Sequence, residues 1–198
     1  MSGTLKIKQQ KNVKRFLNEE FDKKEAERIY TSQCELLKNY RNSINTKSKN
    51  QLNTMVQTIL PRIALYKSLL SDDKYSNNAY EITRKYMVNY VGKSKHDMTA
   101  RLEKFPGFYK IYSNIFIKIM KNTDLQKSST EVGKDYYNIT ITDCFWHNAC
   151  KQYECPELCR AFCGVDDITY GNLKKIGFSR SQTLGMGGTC CDFHFYKK

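Results

Sequence analysis

Seven of the eight cysteines, the sole Trp and two of the three His fall between Tyr137 and Tyr196, together with the densest run of glycines. Such a stretch cannot be one long helix. It is cut by Pro156, Gly164, Gly171 and the Gly185-Met-Gly-Gly188 run into short pieces of different periodicity. Tyr136 to Thr142 alternates and is β-branched, which predicts a strand. Phe145 to Tyr153 reads as a short helix. Pro156 at a first helical position opens a second helix, which Gly164 is expected to end. Ile176 to Leu184 and Cys190 to Tyr196 read as two strands of a hairpin closed by the glycine run.

Ahead of this stretch the pattern is helical. Apolar residues from Asn12 to about Tyr40 recur at intervals of three, four and seven, which fits one or two helices, and Asn42 to Asn50 is a polar loop. Gln51 to Leu70 is the most apolar helical segment. Pro61 inside it predicts a kink or two helices meeting at Leu60. Ser71-Asp72-Asp73 supplies capping oxygens ahead of a helix from Tyr80 to Leu102 that Pro106-Gly107 ends. Phe108 to Met120 is apolar almost all round, as in a buried helix or one lining a pocket. Residues 1–10 are too polar to pack, and Thr123 to Lys134 reads as a polar linker.

The fold class expected is therefore α+β, with an N-terminal helical part packed on a small, mostly antiparallel β-sheet bearing short helices. A helical region over 1–134 and a cysteine-rich core over 135–198 form one domain in this reading, since 198 residues exceed one typical domain without reaching two. No apolar run is long enough to span a membrane, and the N-terminus lacks the apolar core of a secretory signal. A cytoplasmic location with eight reduced thiols is the consequence expected.

The net charge of +13 raises the question of a nucleic-acid partner. Residues 135–198 hold seven basic and seven acidic side chains, so the whole excess lies in residues 1–134. There the lysines are scattered through helical patterns with no polybasic run, which describes a solvated face and argues against nucleic acid.

Several residues could carry chemistry. Cys155, Cys159 and Cys163 are spaced by four, and Cys155-x3-Cys159 lies within zinc-ligand spacing. Cys190 and Cys191, adjacent on a strand, point to opposite faces and cannot both complete a ligand set, so no metal or other cofactor is expected. A nucleophilic thiol instead needs a base and a charge partner. His147 and His194 are candidate bases, Asp143, Asp166 and Asp192 candidate carboxylates. Arg180 is the natural anchor for a substrate carboxylate. His194 alternates with Phe193 and Phe195, so it is expected to face away from the core.

The order Cys144, Cys155-Pro-Glu-Leu, Phe162-Cys163-x-x-Asp166, Arg180-x-x-Thr183-Leu and Gly188-x-x-Cys191-Asp192-Phe-x-Phe resembles the L-2-amino-thiazoline-4-carboxylic acid hydrolase family. Leu60-Pro61 through Leu70 is similar to a helix of that family, so the likeness covers roughly residues 55–196. A looser likeness, Gly187-x-x-x-Cys191-x-Phe193, is to vinyl-reductase-type small-ligand domains. The resemblance implies a hydrolase that opens a small cyclic amidine such as L-2-amino-thiazoline-4-carboxylate to a carbamoyl-cysteine, and it singles out Cys163, Asp166, Arg180, Cys191 and Asp192. Chemical reasoning assigns the roles. Cys163, Asp166, His147 and Asp192 are the catalytic candidates, with Arg180, Thr183 and Cys191 binding a carboxylate-bearing small molecule. Cys163 attacks the amidine carbon or His147 activates a water, while Asp166 holds the amidinium. The competing class is a non-catalytic small-ligand or metal sensor on the same sheet.

Overall fold

A computed structural model describes residues 7–198. The expectation for residues 1–10 falls mostly outside them; Lys8 to Gln10 are helical. By internal contacts the chain divides into two compact units, residues 1–86 and 87–198.

In the first unit, helices α1 (Lys8–Glu20) and α2 (Lys23–Asn42) are separated by Phe21 and the N-cap residue Asp22. The Asp22 side chain accepts from the backbone N–H groups of Lys24 and Glu25 and so caps α2. The segment around Pro61 runs through α3 (Lys49–Thr54), a π-turn (Met55–Ile59) and α4 (Leu60–Leu70). The π-turn takes up the register lost where proline offers no N–H, so the helical path continues without a break but changes type at Leu60, where α4 begins. Helix α4 is buried nearly all round. The buried Gln33 amide of α2 donates to the Pro61 carbonyl at 3.1 Å. Helix α5 (Ala79–Tyr86) closes the unit.

The second unit begins with a π-turn (Met87–Gly92) and continues through α6 (Lys93–Leu102) and α7 (Phe108–Asn122). It then forms four strands with α8 (Phe145–Gln152) and α9 (Cys159–Tyr170) between the second and third. Strands β1 (Gln126–Val132), β2 (Tyr136–Cys144), β3 (Ile176–Ser179) and β4 (Cys191–Lys197) pair in the order β1-β2-β4-β3. Every pairing is antiparallel, so the fold is α+β as expected. One sheet face is dry. Tyr137, Ile139, Ile141, Ile176, Cys191, Phe193 and Phe195 pack there with Phe108 and Met120 of α7 and Tyr170 of α9. On the other face His194 lies between Tyr136 and Tyr196 and meets Asn138 at 2.7 Å, in keeping with strand alternation.

Three expectations are corrected. Thr123–Lys134 is not a linker, because Gln126–Val132 forms the edge strand β1 against β2. None of its side chains is fully buried, so no apolar alternation advertises it, and a polar edge resists pairing with other chains. Gly164 does not end its helix. Helix α9 runs on to Tyr170 because Val165, Thr169 and Tyr170 continue its buried face, which outweighs the roughly 1 kcal/mol that glycine costs mid-helix. Finally, the strand expected over Ile176–Leu184 stops at Ser179. The backbone N–H groups of Ser181 and Gln182 are drawn instead to the Asp192 carboxylate.

Candidate functional site

The extension of α9 past Gly164 sets the geometry. With the helix continuous, Cys159, Cys163 and Asp166 stand four and three residues apart and share a face. The turn after β3 brings Arg180, Thr183 and Gly185 to that face.

Arg180 is nearly buried, its side chain 9% exposed. Its guanidinium lies between the rings of Phe178 and Phe193, at 5.8 and 5.7 Å from their centroids. Nη2 donates to the Cys163 carbonyl at 3.1 Å and to Asp167 Oδ2 at 2.5 Å. Nη1 is buried and makes no hydrogen bond, but it faces Asp166 Oδ2 as an ion pair at 4.0 Å. One arm of the guanidinium is therefore committed to the fold and the other is open to a hydrogen-bond acceptor.

Asp166 keeps a third of its side-chain surface accessible, so the carboxyl is recessed in a packed surround without being sealed. Burial pushes its pKa up to about 6, against the pull of Lys95 and Arg180, and the neighbouring Asp167 adds to the rise.

The thiols form a coupled group. Cys150, Cys155 and Cys159 are buried, and Cys163 is half-buried. Hydrogen bonding from Cys150 and Cys163 lowers the pKa of Cys159, burial opposes this, and the charge of His147 assists it. The donors pay the converse: Cys150 is raised first by hydrogen bonding to Cys155 and then to Cys159, and Cys163 first by Cys159 and then by burial. These bonds favour negative charge at Cys159 over its neighbours, and Cys159 also occupies the first turn of α9, where the helix dipole favours an anion. Among the described residues no group of three or more His, Cys, Asp or Glu has the geometry to hold a metal ion.

Gly185 closes the cluster. A Cβ there would stand 2.8 Å from the Cys159 sulfur and 3.1 Å from that of Cys163, so only glycine lets the chain pass. The Thr183 hydroxyl is fully buried and has no partner of full hydrogen-bonding geometry, although it acts to lower the pKa of the Cys163 thiol. Cys191 accepts a contact from the Leu184 N–H at 3.4 Å, and burial raises its pKa against the effect of that contact and of Arg180.

Asp192 points to the opposite side of β4 from Cys191. Its oxygens accept from Ser181 N at 3.0 Å, Ser181 Oγ at 2.5 Å and Gln182 N at 2.8 Å. Burial raises its pKa, but these bonds outweigh burial and hold it below the ordinary carboxylate value. Asp143, another carboxylate candidate, accepts from Asn148 at 2.6 Å. The structure thus gathers Cys163, Asp166, Arg180, Thr183 and Cys191, brings His147 within electrostatic reach of Cys159, and uses Asp192 to hold the turn that carries Arg180.

Cys159 is the residue that sequence reasoning undervalued. It was weighed as a metal ligand, yet Pro156 already placed it in the first turn of a helix, the position that stabilises a thiolate.

The model of the L-2-amino-thiazoline-4-carboxylic acid hydrolase family matches residues 53–195, more than two thirds of the chain. The chain belongs to that family. The match spans every residue gathered at the Arg180 site. No curated protein matches. Two solved structures share a distant likeness: an H-NOX protein from S. oneidensis in the Fe(II)NO ligation state and an Fe(II) unliganded H-NOX protein from K. algicida. The first is 11% identical at a TM-score of 0.38, covering 94% of this chain and 98% of that one. The second is 9% identical at 0.37, covering 96% of each. Similarity at that level carries no functional weight. Among the described residues no helix is long and apolar enough to cross a membrane.

Proposed function

We propose that this member of the L-2-amino-thiazoline-4-carboxylic acid hydrolase family opens a small cyclic amidine acid, with L-2-amino-thiazoline-4-carboxylate as the reference substrate, and that it does so at the Arg180 site. The observation that carries the reading is the buried Nη1 of Arg180, which makes no hydrogen bond and has only the Asp166 ion pair at 4.0 Å, beside Cys163. A buried guanidinium donor left open is costly unless something fills it, and a planar carboxylate is the group that matches its geometry.

In this reading Arg180 Nη1 and the Thr183 hydroxyl receive the substrate carboxylate, and Asp166 in its ionised form pairs with the amidinium. The amidine carbon is then presented to Cys163. As Cys163 sulfur bonds to that carbon, its proton passes to the Asp166 carboxylate, so Asp166 serves as base and Cys163 as nucleophile while Cys159 remains the cluster's thiolate. The adduct expels the ring sulfur, which takes up a proton and becomes the thiol of the opened product. Water adds to the remaining carbon, Cys163 departs, and a carbamoyl-cysteine results. One water is consumed and no redox change occurs. His147 supports the thiolate by its charge. Cys191 forms part of the wall, and Asp192 positions the Arg180 turn through Ser181 and Gln182.

The test is conversion of the aminothiazoline carboxylate, followed by mass spectrometry, in Cys163→Ala, Cys163→Ser and Cys155→Ala. Both Cys163 variants are expected to fall by about a thousandfold, with Cys155→Ala within about fivefold of the parent and an acid-trapped adduct mapping to Cys163. Folded Cys163→Ala with full turnover overturns the nucleophile. Absence of turnover in the parent chain favours the competing ligand-sensor class.

A further inference from the structure

At the end of β4 remote from Cys191, α7, the β1-β2 turn and the chain after β4 border a half-open cavity of about 600 Å³. Its walls are apolar and aromatic: Phe108, Tyr109 and Ile117 from α7, with Tyr136 and Tyr137 from β2. Five lysines also line it, Lys110, Lys134, Lys175, Lys197 and Lys198, against the single carboxylate of Asp135. Asp135 lies 3.9 Å from Lys197 and can offset only part of that charge. The amines of Lys175 and Lys198 each give one hydrogen bond to a backbone carbonyl, Phe105 at 3.2 Å and Leu173 at 2.9 Å, and an ammonium has three donors. Of the nearby carboxylates, Glu103 accepts from the backbone N–H groups of Lys174 and Lys175, and Glu131 accepts from Tyr136 and Asn138.

An independent observation points to an occupant. Tyr137 is 1% exposed, and its hydroxyl is buried with no hydrogen-bond partner. The ring cannot swing to find one, because it is stacked on Phe195 at 4.9 Å with a 12° tilt. Burial raises its pKa, so the hydroxyl is a neutral donor. Tyr137 lines the cavity beside Tyr109, and a ligand acceptor that reaches past Tyr109 would give this hydroxyl the partner it lacks.

We propose that this cavity is a second binding site, for a small molecule with an aromatic body and a dianionic group. The aromatic walls take the body, the lysines take the charge, and Tyr137 donates to an oxygen of the ligand. The volume falls in the range of about 300–1,000 Å³ that holds drug-sized ligands, well beyond the need of a five-membered ring acid. The lysines lie apart from the Arg180 site: Arg180 sits over the Phe193 ring and Lys197 is four residues further along β4, about 13 Å, with Tyr137 opposite Phe195 in between.

The experiment is a fluorescence titration of the full chain with 1-naphthyl phosphate at low salt, alongside 1-naphthol and inorganic phosphate. Saturable one-to-one binding is expected, with both comparators at least about tenfold weaker. A Lys110→Glu, Lys134→Glu double variant is expected to lose about tenfold or more in affinity. Tyr137→Phe removes only the unmet hydroxyl, so it should weaken binding about three- to tenfold while leaving the unfolding midpoint unchanged or raised. Cys163→Ala should bind as the parent does, whatever its turnover. Equal affinity for 1-naphthol, undiminished binding in the lysine variant or in Tyr137→Phe, or loss of binding in Cys163→Ala overturns the proposal.

Discussion

The two ends of β4 differ in how they treat charge. At the Cys191 end almost every charge is answered. Asp192 takes the bonds of Ser181 and Gln182, Asp167 takes Arg180 Nη2, and the thiols donate to one another, leaving one guanidinium nitrogen and one hydroxyl open. At the Lys197 end five lysines surround an apolar cavity with one carboxylate among them. An end whose charges are internally paired is built for geometry, because each group fixes its neighbour. An end of like charges is held by its apolar walls and is open to an outside counterion. Substitutions at the first should therefore cost both fold and turnover, and those at the second ligand affinity alone.

The largest effect expected is at Arg180. Arg180→Met keeps much of the packing between Phe178 and Phe193 but strips Asp167 and the Cys163 carbonyl of their donor. Asp167 is half exposed, so water takes over part of the lost bond and the cost is about 1–2 kcal/mol, while turnover should fall by more than about a hundredfold. Arg180→Lys keeps the charge and loses the fork, so it should recover stability more than activity. Chemical denaturation and steady-state rates separate the two. If Arg180→Met is as stable as the parent, the Cys191 end is not organised by internal pairing.

Next in size is Gly185→Ala. Its methyl would press on the sulfurs of Cys159 and Cys163, so one or both must move. A stability loss of about 1–3 kcal/mol is expected with turnover down at least about tenfold. Binding of 1-naphthyl phosphate should be untouched, and any loss of it would break the separation of the two ends.

A smaller effect is expected from pH. Asp166 has its folded-state pKa raised to about 6, above the unfolded value, so its ionised form is the strained one. Its contribution to stability is unfavourable above about pH 6 and fades as pH falls toward the unfolded pKa. The proposed pairing with an amidinium needs that ionised form, so kcat/KM should rise about tenfold per unit up to pH 6 and then level. Asp166→Asn should lower the plateau and abolish the limb, whereas His147→Gln should keep it. A limb that survives Asp166→Asn belongs to another group.

Much of this was legible beforehand. Alternation in Tyr136–Thr142 and around His194 placed β2 and β4 and assigned their faces, because a half-buried strand writes its burial into every second residue. The family likeness on Cys163, Asp166 and Arg180 pointed to residues that the fold does gather. What was not legible has common causes. Strand β1 buries too little to show a period. Gly164 is a local signal overruled by the packing of residues on either side of it. The turn at Ser181 and Gln182 depends on Asp192, ten residues away in sequence, and no local pattern reports such a bond. The lysine cavity was hidden for the same reason, since its lysines come from four separate stretches of chain.

The smallest effect expected is also the one that tests the contrast most directly, and it concerns the stability of the unliganded protein. Lys134 lies in the β1-β2 turn among Lys110, Lys175, Lys197 and Lys198 at the cavity. Lys134→Glu replaces a repulsive charge by an attractive one at an accessible position, so the unfolding midpoint at about 20 mM salt should rise by roughly 1 °C. Screening shortens from about 20 Å at that salt to a few ångströms near 0.5 M, where the gain should vanish. Asp192→Ala is the partner experiment at the other end. It removes short hydrogen bonds from Ser181 and Gln182, whose donors carry no net charge, so its destabilisation of about 1–3 kcal/mol should be nearly the same at both salt concentrations. A salt-dependent loss in Asp192→Ala, or a salt-independent gain in Lys134→Glu, would mean that the two ends are governed by the same electrostatics. The expected pattern, one end answering to ionic strength and the other not, is what distinguishes a surface of unmet like charge from a network of made bonds.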